Sequence, residues 1–451
     1  MRLDRVSLKT GAILVVLGAT SVLLYRIGLH ANGVAGISWF IKLVGVQAAL
    51  YLIAAWIVFH ARSSRTTLAL VFAFAVLFRL SIVFAPPYLS DDIYRYIWDG
   101  RVQAAAINPY RYVPSAPELA HLRDEQIYPK INRRDYAHTI YPPLAESLFL
   151  VTTRISESVV WMKLTILGFE LLGMWAMVQL LTSYGLAPQR LLVYAWHPLV
   201  IWEFAGSGHV DAIAVAFIAL ALLAWRKSND VGTGLALASG ALIKLFPVVL
   251  LPAFFKRPRG TVAVLVFVGL IVVAYLPYLS VGPKAVFGFL PGYASEQGLV
   301  SGEQFYLLGV ARRLFGEVVP PFAFLIFAMF VMGVIAGWTI LRQTRSEENL
   351  KPAMLLATIT TVLFAPHYSW YFTWLVPFLC FVPSAAVFYL TIAAVLLYLT
   401  WLGDSREQMF VINSLIYLPF LSIAAIESWW RTRGFNSVPQ RRIKTEVADI
   451  P

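Results

Sequence analysis

The chain has 451 residues, 59% of them hydrophobic and only 13% charged, with a mean hydropathy of +0.72. A soluble domain carries about 25% charged residues, so this chain has too little charge to cover a water-facing surface. It is predicted to be an all-α polytopic membrane protein with about 13 to 14 transmembrane or re-entrant helices; at ~20 residues each these use roughly 270 residues and leave no room for a separate soluble domain.

The formal charge of +12 sits in short clusters between apolar runs, as the positive-inside bias expects, and reports orientation instead of a nucleic-acid partner. No GxGxxG follows a strand and no P-loop is present, which excludes a soluble nucleotide site. The single cysteine, Cys380, rules out internal disulfides and cysteine metal clusters.

In chain order, Arg2, Arg5 and Lys9 place the amino terminus inside. The run Gly11 to Leu24, followed by Tyr25-Arg26, lacks a small-residue cleavage site and reads as a retained span. Spans at 11–28 and 38–59 form a first hairpin, closed on the inner side by Arg62 and Arg65. A third span, 66–85, exits outward and stops at Pro86-Pro87, because proline cannot continue a helix and restrains the residue before it. Residues 86–157 are therefore expected on the extracytoplasmic face.

Further spans are predicted at 159–183, 190–206, 211–226, 261–281, 318–342, 351–366, 370–382, 386–403 and 408–428. Residues 232–255 break at Lys244 to Pro247 and lie between two basic clusters, so they read as a hairpin of short helices that does not fully cross. Arg190, Arg226-Lys227, Lys256-Arg257-Arg259, Arg342-Arg345 and the tail Arg431 to Lys444 then face the cytoplasm. The expected organisation is an N-terminal hairpin (1–65), a catalytic core (66–382), a C-terminal hairpin (383–430) and a basic cytoplasmic tail (431–451). The expected location is the plasma (inner) membrane, multi-pass, with both termini inside.

This frame sorts the acids. Of 24 Asp and Glu residues, nine lie in 86–157: Asp91, Asp92, Asp99, Glu118, Asp124, Glu125, Asp135, Glu146 and Glu157. The stretch Ser90-Asp91-Asp92-Ile93-Tyr94-Arg95-Tyr96-Ile97-Trp98-Asp99-Gly100-Arg101 is predicted to be a helix capped by Ser90 or Asp91 and stopped by Gly100. Ile93 with Ile97 and Tyr94 with Trp98 make an aromatic, apolar face; Asp91 and Arg95 are four apart on the other side. Such a helix should lie in the plane of the outer interface and hold Asp91 and Asp92 at the depth of lipid phosphates. Capping alone needs one carboxylate. A second one, ionised against an apolar wall, suits a general base. Neighbouring helical residues diverge by ~100°, so metal-free chemistry is the expectation and a divalent cation the alternative.

Other candidates follow. Asn108-Pro109-Tyr110-Arg111-Tyr112 and Thr139-Ile140-Tyr141-Pro142-Pro143 form rigid aromatic loops, fitted either to interface anchoring or to substrate contact. His209 and Asp211 sit two apart in the turn Gly206 to Asp211. Lys244 lies in an apolar hairpin, where a lysine is costly and marks a functional candidate unless it snorkels. His367, in Pro366-His367-Tyr368-Ser369-Trp370, interrupts another apolar run, and with Lys244 it could hold a phosphate.

At these residues the sequence resembles the GT-C superfamily of membrane glycosyltransferases, and within it glycosyltransferase family 87 and related polyprenyl-phosphate-mannose-dependent mannosyltransferases. The likeness covers roughly 66–380 and rests on the Asp91 to Arg101 stretch, Asn108-Pro109-Tyr110, Tyr141-Pro142-Pro143, the Gly208 to Asp211 turn, Gly240 to Pro247 and Pro366-His367-Tyr368. It implies a GT-C-type fold whose active site lies on the outer face beneath interfacial helices. It further implies a sugar, mannose at family level, passed with inversion from a polyprenyl-phosphate donor to the hydroxyl of a glycan or glycolipid acceptor. Asp91 then looks like the base and Asp92 its neighbour, in an order that could be exchanged. Lys244, His367, Arg95 and Tyr368 look like groups around the donor phosphate, and His209, Asp211, Arg101, Asp99 and Tyr141 like acceptor- or sugar-side groups. No cofactor is implied, and the adjacent Asp91-Asp92 differs from a spaced metal-binding DxD.

Two other readings stand beside it. A secondary transporter or lipid flippase suits the many spans and the interrupted helix, although no second half mirrors the first. A polymer ligase would take a lipid pyrophosphate donor.

Overall fold

The computed structural model describes residues 5–31, 33–255, 259–302, 305–316, 318–342, 349–403 and 405–433. Of the basic residues used for orientation, Arg2, Lys256, Arg257, Arg345 and the tail from 434 onward lie outside them, as do the side chains of Arg5, Arg259 and Arg342.

The chain is all-helical among the described residues. Helices α1 (Arg5–Gly28), α2 (Gly33–His60) and α3 (Arg65–Ile82) come first. Two loop helices, α4 (Asp92–Ala104) and α5 (Pro143–Ile155), precede α6 (Val159–Ser183). Short pieces α7 (Leu192–Ala195) and α8 (Pro198–Ile201) lead through a π turn, Trp202–Ser207, into α9 (Asp211–Arg226) and α10 (Asp230–Ile243). A 3-10 helix, Phe246–Phe254, follows, then α11 (Arg259–Tyr275), α12 (Leu290–Glu296), α13 (Tyr306–Phe315), α14 (Pro321–Arg342) and α15 (Leu350–Phe364). A 3-10 turn, Ser369–Leu375, α16 (Val376–Leu379), α17 (Ala385–Ala393) with its 3-10 continuation Ala394–Leu402, and α18 (Arg406–Thr432) complete the chain.

Eight of these segments are long and apolar enough to cross a membrane, and α10 and α15 are shorter apolar helices. Burial ranks them. The windows of α11 and α14 are only 17% buried, so their apolar faces look outward. The residues of α9 are nearly all buried, and α9 packs on α6, α10 and the Ser369–Leu375 turn, which makes it the axis of the core. The first hairpin closes onto that core: the Tyr51 hydroxyl donates to the Val193 carbonyl at 2.7 Å, and the Trp202 indole donates to Gln47 at 2.9 Å.

A buried charge pair crosses the bundle. Arg79 of α3 and Glu170 of α6 form a bidentate pair, with Nε to Oε2 at 2.7 Å, and Arg79 Nη1 also donates to the Ala75 and Ala195 carbonyls at 2.9 Å. Four of the five N–H groups of the fork are thus used, as burial of a charge in an apolar interior demands.

The structure departs from expectation at four places. The span predicted at 190–206 is broken into α7, α8 and the π turn: Pro198 has no N–H to give, and His197 before it is extended. The span predicted at 370–382 is likewise a 3-10 turn followed by the four residues of α16, which Pro377 opens. Gly100 does not stop α4, which runs on to Ala104. A Cβ at Gly100 would stand 2.5 Å from the Phe149 carbonyl, so this glycine lets α4 and α5 touch. Gly100→Ala should cost ~1–3 kcal/mol, read as a lowered denaturation midpoint of the purified protein. Finally, α4 is not laid on a surface. All residues from Ile93 to Gly100 are buried, beneath the 105–142 loop and against α5 and α6.

Candidate functional site

The start of α4 faces a cavity of about 190 Å³. Its walls come mainly from five separate stretches: Asp91, Asp92 and Arg95 at the head of α4; Asn132, Arg133, His138 and Tyr141 in the loop; Lys244 after α10; Tyr293 of α12; and Tyr368, Trp370 and Tyr371 at the Ser369–Leu375 turn. The volume is below the ~300–1,000 Å³ of drug-sized clefts, a size suited to one sugar ring.

The two carboxylates differ. Asp91 occupies the N-cap position of α4 without a side-chain cap bond; the Ser90 hydroxyl takes that role, accepting from the Asp92 N–H at 3.2 Å. Asp91 is exposed at the cavity mouth. Partial desolvation, and then the Asp92 carboxylate beside it, raise Asp91 above the ordinary carboxylate range, with Lys130 opposing. Asp92 is held from both sides: Asn132 donates to Oδ1 at 2.9 Å, and His209 Nδ1 lies 3.8 Å from Oδ2.

Beneath the cavity lies a polar floor. His209 and Asp211 are completely buried and line no part of the cavity surface. Gly208, at φ +80°, turns the chain sharply out of the π turn so that both residues face inward. His209 Nε2 stands 3.5 Å from Glu203, whose Oε1 accepts from Tyr398 at 2.7 Å. The imidazole stacks on Trp370 at 4.1 Å, and Trp370 stacks on Tyr368 at 4.4 Å. Asp211 pairs with Lys244 at 3.5 Å. Residue 244 is extended where α10 ends, so its side chain enters the cavity, and Nζ stands 5.7 and 5.2 Å from the centres of the Tyr141 and Tyr371 rings.

Arg95 binds Asp99, four residues on, at 2.8 and 2.9 Å, and not Asp91, four residues back. It also donates to the Ala137 carbonyl at 3.1 Å, tying the loop to α4. Glu146 of α5 completes this knot, accepting from Thr139 at 2.7 Å and Gln103 at 2.8 Å. Burial, and then the neighbouring Asp99 carboxylate, push Glu146 well above its ordinary value, which favours its neutral form. Glu146→Gln should therefore leave the denaturation midpoint nearly unchanged, whereas Asp99→Asn, which strips the counter-charge from buried Arg95, should lower stability by ~3–5 kcal/mol.

Arg101 lies away from the cavity. It bridges Asp124 and Glu157, each at 2.7 Å, and pins the far end of the loop. Burial works against ionised Asp124, but the Arg101 hydrogen bond and the N–H groups of Tyr128 and Ile127 outweigh it and hold the carboxyl at about 2. A depressed carboxyl stabilises the fold above its ordinary value near 3.8, and that contribution disappears as pH falls towards about 2.

Thus Asp91, Asp92, Arg95, Tyr141, Lys244 and Tyr368 line one cavity, with His209 and Asp211 under it and Asp99 behind it. Arg101 is elsewhere, and His367 lines a second cavity although its neighbour Tyr368 lines the first. Four residues of the site escaped the reading of the sequence: Glu203, Asn132, Arg133 and Tyr293. Glu203 had a usable signal, an acid inside an apolar run. Asn132 and Arg133 sit in an aperiodic loop and Tyr293 in the short helix α12, where spacing carries little direction. Arg133 spans the cavity, pairing with Glu296 at 2.7 Å and reaching the Tyr368 hydroxyl at 3.4 Å. Among the described residues no three His, Cys, Asp or Glu side chains gather as a metal cage.

A family profile described as "Alpha-(1->6)-mannopyranosyltransferase, N-terminal domain" matches residues 7–257, from the first hairpin through α4, the Gly208 turn and Lys244. The chain belongs to this alpha-(1->6)-mannopyranosyltransferase family. Its place there makes it a membrane glycosyltransferase that moves mannosyl groups, and the transporter reading falls away. Comparison with curated proteins finds no match. The matched span carries both acids of the cavity and its lysine, while Tyr293, Tyr368, Trp370 and Tyr371 of its wall lie beyond it.

Proposed function

We propose that the protein transfers mannose from a polyprenyl-phosphate donor to a hydroxyl of a glycan or glycolipid acceptor, with inversion, on the extracytoplasmic face of the membrane. The observation that carries this reading is the placing of Asp91 and Asp92 across one small cavity from Lys244. A sugar hydroxyl needs a base to attack at neutral pH. A departing phosphate needs cations to take up its developing charge. A lipid-linked donor needs no nucleotide domain.

In this mechanism Asp91 accepts the acceptor hydroxyl's proton as the oxygen attacks the anomeric carbon, and the bond to the lipid phosphate breaks on the opposite side. Asp92, fixed by Asn132 and His209, keeps a second negative charge beside the oxocarbenium-like centre. Lys244 and Arg133 receive the phosphate charge, and the Tyr368, Trp370 and Tyr371 wall packs against the sugar. Asp211 holds Lys244 charged and aimed into the cavity. No metal is assigned a step, and a linkage to the 6-hydroxyl of mannose is the family's expectation for the product.

The test is transfer of labelled mannose from a polyprenyl-phosphate donor by the purified protein. Full turnover in both Asp91→Asn and Asp92→Asn would overturn the reading. Its pH profile carries a second check. A base acts when ionised, so kcat/KM should fall on acidification through the raised value of Asp91. Lys130 lowers that value, so Lys130→Gln should move the acid limb to higher pH. A limb that stays in place would remove Asp91 from the role.

A further inference from the structure

His209 stands between two carboxylates. Its Nδ1 lies 3.8 Å from Asp92 Oδ2 on the cavity side, and its Nε2 lies 3.5 Å from Glu203 Oε2 behind it. Stacking on Trp370 at 4.1 Å fixes the plane of the ring. Glu203 is fixed in turn, because Tyr398 donates to Oε1 at 2.7 Å and leaves Oε2 for the imidazole. Both residues are completely buried. Among the described residues, His209 Nδ1, His209 Nε2 and Glu203 Oε2 have no direct hydrogen-bond partner. Buried polar groups do not stay in that condition, and each ring nitrogen has a carboxylate close by. Both distances exceed a direct hydrogen bond and are of the kind that tightens when a catalytic site engages its substrate.

Proton count decides how these atoms satisfy one another. A neutral imidazole offers one N–H and one lone pair, so it cannot donate to two carboxylates at once. A charged ring could, but an imidazolium and an ionised Glu203 would then both stand in an apolar interior, next to the Asp211 and Lys244 pair. A neutral Glu203 against a neutral imidazole gives the same net charge with two fewer buried ions, which is the cheaper arrangement. Glu203 Oε2–H then donates to Nε2. The only N–H left on the ring is Nδ1–H, and it faces Asp92.

We propose that Glu203 is a positioning residue: its Oε2 proton fixes His209 as the Nδ1–H tautomer, which in turn holds the Asp92 carboxylate in place beside the reacting sugar. The consequence for catalysis rests on the mechanism proposed above. The tautomer does not, and it is read without turnover.

Nitrogen NMR of the full chain carrying isotope-labelled histidine tests it, with His209 assigned as the signals lost in His209→Gln. Nδ1 should carry the proton and Nε2 should show the shift of a hydrogen-bond acceptor. Kinetics give the second readout. Glu203→Met can neither donate to Nε2 nor accept from Tyr398, and should lower kcat about tenfold, the loss of one buried hydrogen bond, with the donor KM unchanged. Glu203→Gln can do both, and should recover kcat to within about threefold of the parent. Groups that act through one another are not additive, so Glu203→Met placed on Asp92→Asn should cost less than about twofold more. An Nε2–H or doubly protonated His209 overturns the proposal. So does an equal loss of kcat in Glu203→Gln and Glu203→Met, or a Glu203→Met loss that stays undiminished on Asp92→Asn. Full turnover in Asp92→Asn would instead overturn the transfer mechanism and the coupling to it, while the Nδ1–H signature would still be found.

Discussion

Asp91→Asn is expected to cut the kcat of mannosyl transfer by about 10²–10⁴-fold, the range for removing a general base, while the KM for the donor changes little. The substitution keeps the shape of the side chain, and Ser90, not Asp91, supplies the cap contact at the head of α4. Loss of rate without loss of fold is therefore the signature, checked by comparing initial rates with the thermal midpoint of the same preparation. Asp92→Asn should cost less: its remaining oxygen still accepts from Asn132, but its charge no longer faces His209. A greater loss at Asp92 than at Asp91 would exchange the two roles. Lys244→Met gives the complementary result, because the lysine neutralises Asp211 and reaches the cavity. It should lower kcat as well, by removing a cation from the leaving group.

The second large effect concerns stability. Arg79→Met leaves Glu170 as an uncompensated carboxylate in a fully buried position and should destabilise the protein by ~3–5 kcal/mol. Arg79→Met combined with Glu170→Met should recover most of that loss, since apolar residues of similar volume replace buried pairs at little cost. Reversible unfolding of the three variants in mixed micelles measures this. If the single variant unfolds at the parental midpoint, the pair contributes nothing and the bundle is held by packing alone.

The residues show why some of this architecture was readable and some was not. Val159–Ser183 falls at the residues expected for a span, and a shorter helix, Asp211–Arg226, at those of another, because a continuous apolar run bounded by polar residues folds as a helix in a bilayer. The 190–206 run has the same greasy composition, yet one proline and the extended His197 before it divide it, and apolar content alone does not register a broken ladder. Gly100 reads as a stop because glycine often is one. Only the Phe149 carbonyl 2.5 Å from its missing Cβ shows that it serves helix contact. Asp91 and Asp92 were legible because adjacent acids are rare beside an apolar helix face. The partner of Arg95 was not, since Asp91 and Asp99 are each four residues away and local spacing treats them alike.

Composition began as a statement of location. With 13% charged residues the chain reads as a membrane protein, and the clustering of its acids in one loop singled out the stretch whose Asp91 and Asp92 line the cavity. Those conclusions are local or additive, so they survive without coordinates. What the tertiary structure decided is which distant groups meet. Lys244 joins Asp92 at one cavity although 151 positions separate their numbers. His367 and Tyr368, neighbours in the chain, line two different cavities. Spacing determines which residues share a helix face, whereas contacts between helices depend on how whole bundles pack, and no short pattern in the sequence records that.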